Sequence, residues 1–94
     1  MILSYRDKRT ERFARGESVK AFHGFEGQAA RLLSILNAAL SLGTLRALPG
    51  NWLEALKGDR AGQYSIRINQ QWRICSEWPE DQTGPSNVEI VDYH

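Results

Sequence analysis

The chain has 94 residues, a mass of 10.7 kDa and a formal net charge of +1. This length fits one domain, residues 1–94, and argues against a separate cofactor domain. The sequence has no apolar run near the ~20 residues of a membrane span, no signal-peptide-like block at its start, and a single cysteine, which cannot form an internal disulfide. We therefore expect a cytoplasmic protein with no membrane partner.

The charge is unevenly distributed along the chain. Residues 1–23 contain six Lys or Arg against three Asp or Glu, and residues 57–73 contain four against one. Residues 74–94 contain five Asp or Glu and no Lys or Arg. The average of +1 disfavours a nucleic-acid partner, but two basic segments can still form a basic face.

The first half of the chain predicts one short strand and two helices. Residues 2–5 have the pattern of a strand, and Asp7 is placed to cap a basic helix over residues 8–15, which Gly16 would end. Residues 17–24 have the character of a loop or a broken helical turn. A single apolar stripe (Ala29, Leu32, Leu33, Leu36 and Leu40) predicts a second helix over residues 27–42, with Gly43 as its stop.

The second half has the period of two that is typical of strands. Apolar and polar residues alternate over residues 52–57, 64–68, 72–78 and 88–93, and turn signals fall at residues 49–51 and 69–71. The expected fold class is α+β, with a small antiparallel sheet packed against the two helices on one face and open to water on the other.

The open face is where chemistry could take place. Arg67, Asn69, Arg73 and Cys75 would project from one side of the two central strands. The loop before them carries Lys57 and Arg60, and the chain ends in Asp92, Tyr93 and His94. Basic side chains hold phosphate, and Glu, Tyr or His can move a proton. This combination suits RNA cleavage through the ribose 2′-hydroxyl, which requires no metal or other cofactor.

Taken singly, the same residues have simpler interpretations. Arg67 and Arg73 could be solvated strand residues, and Lys57 and Arg60 could belong to a charged turn. The terminal residues could be a frayed end. The tryptophans suit sheet packing better than base stacking, and Cys75 suits a small buried side chain better than a nucleophile.

Three motifs together resemble a known family. Residues 56–62 read L-K-G-D-R-A-G, residues 69–74 read N-Q-Q-W-R-I, and residues 92–94 read D-Y-H. With the basic helix near the start, this pattern resembles the HigB toxins of the RelE/ParE superfamily over essentially the whole chain. The resemblance implies a RelE-like microbial ribonuclease fold, in which a small twisted antiparallel sheet packs against two N-terminal helices.

The resemblance also implies a function and partners. HigB toxins belong to bacterial type II toxin–antitoxin pairs and act as ribosome-dependent mRNA endoribonucleases, or mRNA interferases, that inhibit translation and growth. The implied partners are the ribosome with its mRNA and a HigA-like helix-turn-helix antitoxin, through which the toxin–antitoxin complex binds operator DNA. The implied compartment is the bacterial cytoplasm.

Site residues follow from the resemblance by position, except Arg60 and Arg67, which follow from the basic residues of the open face and its preceding loop. The catalytic set is Glu54, Arg73, Asp92, Tyr93 and His94, and the expected RNA or phosphate contacts are Lys57, Arg60 and Arg67. The family has histidine, within L-H-P-L-K-G, where this chain has Glu54. Glutamate can act as a general base or stabilise a nearby imidazolium, but it places a negative charge beside a phosphate.

Two other functions remain as alternatives. The first is a ParE-like poison that binds DNA gyrase and cleaves nothing; that branch generally lacks the catalytic-type residues present here. The second is an inactive relic that binds antitoxin, with Glu54 as the change that removed its activity.

Overall fold

A computed structural model describes residues 1–47, 53–79 and 81–92. The helices are α1 (Lys8–Ala14), α2 (Glu26–Ala38) and α3 (Leu42–Ala47), and short 3₁₀ helices cover Lys20–Phe25 and Gly58–Arg60. The strands are β1 (Glu54–Ala55), β2 (Gln63–Arg67), β3 (Trp72–Glu77) and β4 (Ser86–Asp92). They form one antiparallel sheet in the order β1-β2-β3-β4, which confirms the predicted α+β class and the meander.

Helix α1 begins as predicted and is fixed to the last strand. The Asp7 carboxylate accepts a hydrogen bond from the backbone N–H of Thr10 at 3.0 Å, which caps the first turn. The Thr10 side chain is fully buried, and its hydroxyl accepts a hydrogen bond from the backbone N–H of Ile90 at 3.0 Å. Gly16 follows the helix with a φ of 95°, a conformation that favours glycine.

The predicted strand at residues 2–5 is wrong. This segment makes one isolated parallel bridge, between Tyr5 and Val88, beside β4. Its backbone is nevertheless satisfied, because the Leu3 N–H donates to the Pro85 carbonyl at 2.8 Å and the Val88 N–H donates to the Ser4 carbonyl at 3.1 Å. An apolar pattern therefore identified an extended segment, but not its irregular pairing with β4.

Helix α2 carries the predicted apolar stripe but ends four residues early. Ala29, Leu32, Leu33 and Leu36 are buried, whereas Leu40 is 85% exposed. The chain becomes extended at Ala39 and starts α3, in which Gly43 is the second residue rather than a stop. The Ser41 hydroxyl accepts from the Thr44 N–H at 3.1 Å, so a local cap begins the new helix and takes Leu40 out of the stripe.

The four strands are close to their predicted positions, except for the first. The predicted strand at residues 52–57 is reduced to Glu54–Ala55 among the residues described, and the predicted turn at residues 49–51 lies outside them. The turn after β2 is held by Asn69, whose side-chain oxygen accepts from the N–H groups of Gln71 and Trp72, each at 2.8 Å.

The core lies between the helices and one face of the sheet. Ile66, Ile74 and Ile90 point from three neighbouring strands into a cluster with the buried residues of α2. Each such side chain contributes roughly 1.5–3 kcal/mol when buried. Trp72 packs tilted against Phe25 at 5.1 Å between ring centroids, which confirms a packing role for this tryptophan. Among the helices of the described residues, none has both the length and the hydropathy of a membrane-spanning segment.

Candidate functional site

The face of the sheet that points away from the helices is polar, and we call it the outer face. Alternation along β2 and β3 places Ser65, Arg67, Arg73 and Cys75 on this face, opposite the core residues. Arg67 and Arg73 are direct cross-strand partners, so these two arginines project from the same side, as the sequence predicts. Asn69 does not join them, because its side chain is committed to the turn.

One line of four paired residues crosses the outer face from edge to edge. Glu54 pairs with Ser65, Ser65 pairs with Cys75, and Cys75 pairs with Glu89. We call this line the cross-strand row. Ser65 and Cys75, in its middle, are fully buried, whereas the two glutamates lie at its ends. The row therefore has two small, buried side chains in its middle and a carboxylate at each end.

Arg73 lies at the Glu54 end of the row. Its Nη1 donates to the Glu54 carboxylate at 2.9 Å and to the Ser65 hydroxyl at 3.0 Å. The Arg73 side chain is 14% exposed, whereas the Glu54 side chain is 59% exposed. The structure thus brings together two predicted site residues, a largely buried cation and an accessible carboxylate.

Arg60 lies at the other end of the row. Its Nη1 donates to the Glu89 carboxylate and to the Gln63 side-chain oxygen, both at 3.0 Å. The Glu89 side chain is 10% exposed. Arg6 adds a second cation, with its guanidinium 3.4 Å from Glu77 and 3.9 Å from Glu89. The acidic final segment of the chain therefore pairs with basic residues from the two earlier segments, which reduces the basic character of this face.

Lys57 is exposed at the start of the 3₁₀ helix between β1 and β2. Gly58 follows it with a φ of 65°, and the Ala61 N–H donates to the Gly58 carbonyl at 3.1 Å. Leu56, on the other side of Lys57, is buried and donates its N–H to the Gln63 carbonyl at 2.9 Å. Buried and hydrogen-bonded neighbours thus fix the backbone that presents Lys57 to solvent.

The structure places Asp92 away from Arg73. Asp92 pairs with Trp72 at the end of β4, so alternation puts it on the helix side of the sheet, and its carboxylate accepts from the Gln71 side chain at 2.9 Å. Tyr93 and His94, the other two predicted catalytic residues of this segment, lie outside the described residues.

Cys75 has the environment of a structural residue. Burial raises the pKa of its thiol, an effect that Glu89 reinforces and that Arg60, Arg73 and Arg6 oppose. A raised pKa keeps the thiol protonated near neutral pH, which does not favour nucleophilic reactivity. In the part of the chain that the structure describes, no group of three or more His, Cys, Asp or Glu could hold a metal ion.

Sequence reasoning missed the residues that organise the outer face. Ser65, Gln63 and Glu89 are buried polar side chains in direct contact with the arginines at the two ends of the row. Their signal in the sequence is a polar side chain at an alternating position, which is equally typical of a solvated strand face. The pairing registers that bring them beside Arg60 and Arg73 are a property of the folded sheet.

Comparison with solved structures defines the class of fold. A YoeB/ParE toxin from Agrobacterium tumefaciens superposes with a TM-score of 0.63 at 14% identity, over 99% of this chain and 98% of the toxin. A chain of a YoeB-YefM complex from Staphylococcus aureus superposes with a TM-score of 0.58 at 19% identity, over 100% of this chain and 95% of the other. The fold is that of the RelE/YoeB-like toxins, as the sequence motifs predict.

Sequence comparison then gives the family. The family described as "RelE-like toxin of type II toxin-antitoxin system HigB" matches residues 3–94. Toxin HigB-1 of Vibrio cholerae is 36% identical over 80 residues, which cover 83% of this chain and 84% of the relative. The chain belongs to the HigB-like family of type II toxins, which confirms the resemblance found in the motifs.

Proposed function

We propose that the protein is a ribosome-dependent mRNA endoribonuclease that cleaves through the ribose 2′-hydroxyl and so stops translation and growth. The observation that carries this proposal is the contact between Arg73 and Glu54 on the outer face. This contact brings a guanidinium, which can bind phosphate, within hydrogen-bond distance of an accessible carboxylate, which can accept a proton. The family supports a toxin with this activity.

Arg73 is the group we assign to the scissile phosphate. When the 2′-hydroxyl attacks the adjacent phosphorus, negative charge builds on the non-bridging oxygens, and a guanidinium can stabilise it with several N–H donors. A largely buried arginine is effective here because its field is less screened than that of an exposed one. Its five donors allow it to bind phosphate while it keeps part of its contact with Glu54.

Proton transfer is assigned to Glu54 and to the end of the chain. The Glu54 carboxylate lies beside the guanidinium, so it is near a phosphate held there and can accept the proton of the attacking 2′-hydroxyl. The departing 5′-oxygen needs a proton, for which Tyr93 and His94 are the candidates. Asp92, on the other face, would act indirectly through the segment that follows it.

The remaining cations are assigned to flanking phosphates. Lys57 and Arg67 are exposed, and Arg67 is the cross-strand partner of Arg73 on the outer face. Arg60 binds Glu89, so it can contact a phosphate only through the N–H donors that Glu89 does not occupy. Because glutamates offset much of this basic charge, we propose that the ribosome supplies most of the RNA binding. A toxin that acts on ribosomes must act in the bacterial cytoplasm.

The partner is an antitoxin, because the chain belongs to a toxin–antitoxin family. A structural neighbour comes from a complex described as YoeB-YefM. We propose a HigA-like helix-turn-helix antitoxin for this chain, with operator binding by the complex supplied by the antitoxin.

The test uses the full chain expressed without antitoxin, followed by primer extension on a reporter mRNA. Wild type is expected to produce discrete cuts within the reading frame and to arrest growth. Arg73→Ala and deletion of His94 should each reduce cutting about 10²–10³-fold, as expected when a group that stabilises the transition state is removed. Arg31→Ala is the matched control, because Arg31 is exposed on α2 and bonds to Gln28 there.

Full toxicity of both site variants at equal protein levels would contradict the assigned site. Growth arrest by wild type with DNA damage and without mRNA cuts would instead support the gyrase-poison alternative. Absence of growth arrest, with antitoxin binding intact, would support an inactive relic.

A further inference from the structure

We propose that Ser65 is the positioning residue of Arg73, which fixes the guanidinium in the orientation that receives the scissile phosphate. This inference rests on the proposed function and adds to it a residue that the motifs do not mark. Its basis is the hydrogen bond from Arg73 Nη1 to the Ser65 hydroxyl at 3.0 Å, in the buried middle of the cross-strand row.

The sheet register explains how this contact arises. Arg73 on β3 pairs with Arg67 on β2, and Ser65 lies two residues along β2 on the same face. Diagonal neighbours of this kind are within reach of a long side chain. Glu54 on β1 pairs with Ser65, so the arginine must cross β2 to reach it. Ser65 is therefore the point over which the Arg73 side chain passes.

Size alone does not account for a serine at this point. Alanine or glycine would also leave room for the crossing arginine, and a fully buried hydroxyl destabilises a fold unless it is hydrogen-bonded. The hydrogen bond with Arg73 satisfies the Ser65 hydroxyl. The cysteine opposite Ser65 in the row is equally buried and equally small, which provides a natural comparison for what the hydroxyl adds.

The two partners of Arg73 Nη1 differ in how rigid they are. Glu54 is an exposed side chain with three torsions on a two-residue edge strand. Ser65 has one side-chain torsion and lies on a central strand that is paired on both sides. When a phosphate competes with the carboxylate for Nη1, the Ser65 hydroxyl still holds this atom. Ser65 thus preorganises the guanidinium for charge that develops in the transition state.

The experiment measures mRNA cleavage on programmed ribosomes under single-turnover conditions, with the full chain. Ser65→Ala is expected to lower the maximal rate constant about tenfold, as for loss of one hydrogen bond to a charged group, with the half-saturating ribosome concentration nearly unchanged. Ser65→Cys adds only the larger radius of sulfur and offers a weak acceptor in place of the hydroxyl, so it should be similarly slow. Cys75→Ala is the matched control and should retain the wild-type rate constant.

A double-mutant cycle separates positioning from packing. In an Arg73→Ala background, Ser65→Ala should cause no further loss of rate, because Ser65 acts through Arg73. Urea unfolding measures the free energy of unfolding of each variant, which gives the fraction that is folded in the cleavage assay. Wild-type rate constants for both Ser65 variants, or an equal loss of rate in the Arg73→Ala background, would overturn the inference while the proposed function stands. Wild-type protein that cuts no mRNA on ribosomes would overturn the proposed function and this inference together.

Discussion

The two ends of the cross-strand row hold arginine–glutamate pairs of opposite burial. At one end, the arginine is the buried member, since the Arg73 side chain is 14% exposed and that of Glu54 is 59% exposed. At the other end, the glutamate is the buried member, since the Glu89 side chain is 10% exposed and that of Arg60 is 35% exposed. The N–O distances are similar, 2.9 and 3.0 Å.

This difference in burial assigns different roles to similar contacts. An exposed carboxylate can leave its partner at little cost because water solvates it, so the Glu54 end can open to a substrate anion. A buried carboxylate that loses its nearer cation stays in a poorly solvated site with only the Arg6 guanidinium, 3.9 Å away, to offset its charge, so opening the Glu89 end destabilises the fold. One pair is therefore suited to chemistry and the other to structure.

Replacing the exposed carboxylate tests its chemical role. Glu54→Gln is expected to lower the maximal cleavage rate constant on ribosomes about 10²-fold, as typical for loss of a general base. The half-saturating ribosome concentration should stay the same or fall, because an uncharged amide competes less with phosphate for Arg73. Single-turnover cleavage at several ribosome concentrations separates the two effects.

The control for this variant is Glu17→Gln, which makes the same charge change at an exposed residue after α1. Unchanged or faster cleavage by Glu54→Gln would mean that Glu54 only occupies Arg73 and that the proton acceptor lies elsewhere.

Removing each cation tests the structural role. Arg60→Gln should lower the free energy of unfolding by about 2 kcal/mol, between the values for exposed and fully buried pairs. Arg73→Gln should lower it by less, about 1 kcal/mol, because the carboxylate it leaves behind is exposed and the main loss is the hydrogen bond to the buried Ser65 hydroxyl. Urea unfolding followed by tryptophan fluorescence gives both values. Equal losses for the two variants would show that the burial of the partner does not distinguish the pairs.

Deprotonation of the Cys75 thiol, in the middle of the cross-strand row, is expected to have the smallest effect on the free energy of unfolding. Burial raises the pKa of the Cys75 thiol above its ordinary value of 9.0. Above pH 9 the unfolded state therefore loses this proton while the native state still holds it. The stability that the thiol contributes is fully present below pH 9 and is lost as the pH rises through the native pKa. Between pH 8 and 10, the free energy of unfolding of wild type should fall more steeply than that of Cys75→Ala.

The same titration contains its own internal check. The pKa of Tyr5 is also raised, chiefly by burial, but this residue is present in both proteins and its contribution cancels in the comparison. Parallel pH profiles for wild type and Cys75→Ala would contradict the burial argument for the thiol.

Capping, apolar periodicity and alternation correctly predicted the elements whose structure depends on their own residues. Asp7 caps α1, the apolar stripe places α2, and alternation places β2, β3 and β4 to within two residues. The predictions were wrong where the structure of a segment depends on contacts outside that segment. The residues before Arg6 follow β4 without forming a strand, and Ser41 begins a helix where Gly43 had indicated a stop.

The candidate site was predictable only in part for the same reason. The motifs gave Glu54 and Arg73, and alternation put Arg67 beside Arg73. The partners Ser65 and Glu89 follow from the registers of three strand pairs, which depend on packing across the whole sheet. Charge counted along the chain also failed to show that the acidic segment neutralises the basic ones, because those pairs join residues far apart in sequence.

The segment beside β4 has a consequence for how the chain folds. The Asn87 N–H donates to the Ser4 hydroxyl across 83 positions of sequence, and the Arg6 N–H donates to the Val88 carbonyl. Contacts of such long range form late, because the loop they close must lose its entropy first. The segment of residues 4–6 therefore stays unpaired until β4 forms, and β4 also brings Glu89 to Arg60. The Arg73–Glu54 contact, by contrast, joins β3 to β1 across β2 and does not involve β4, so the end of the row assigned to chemistry can assemble before the Glu89 end.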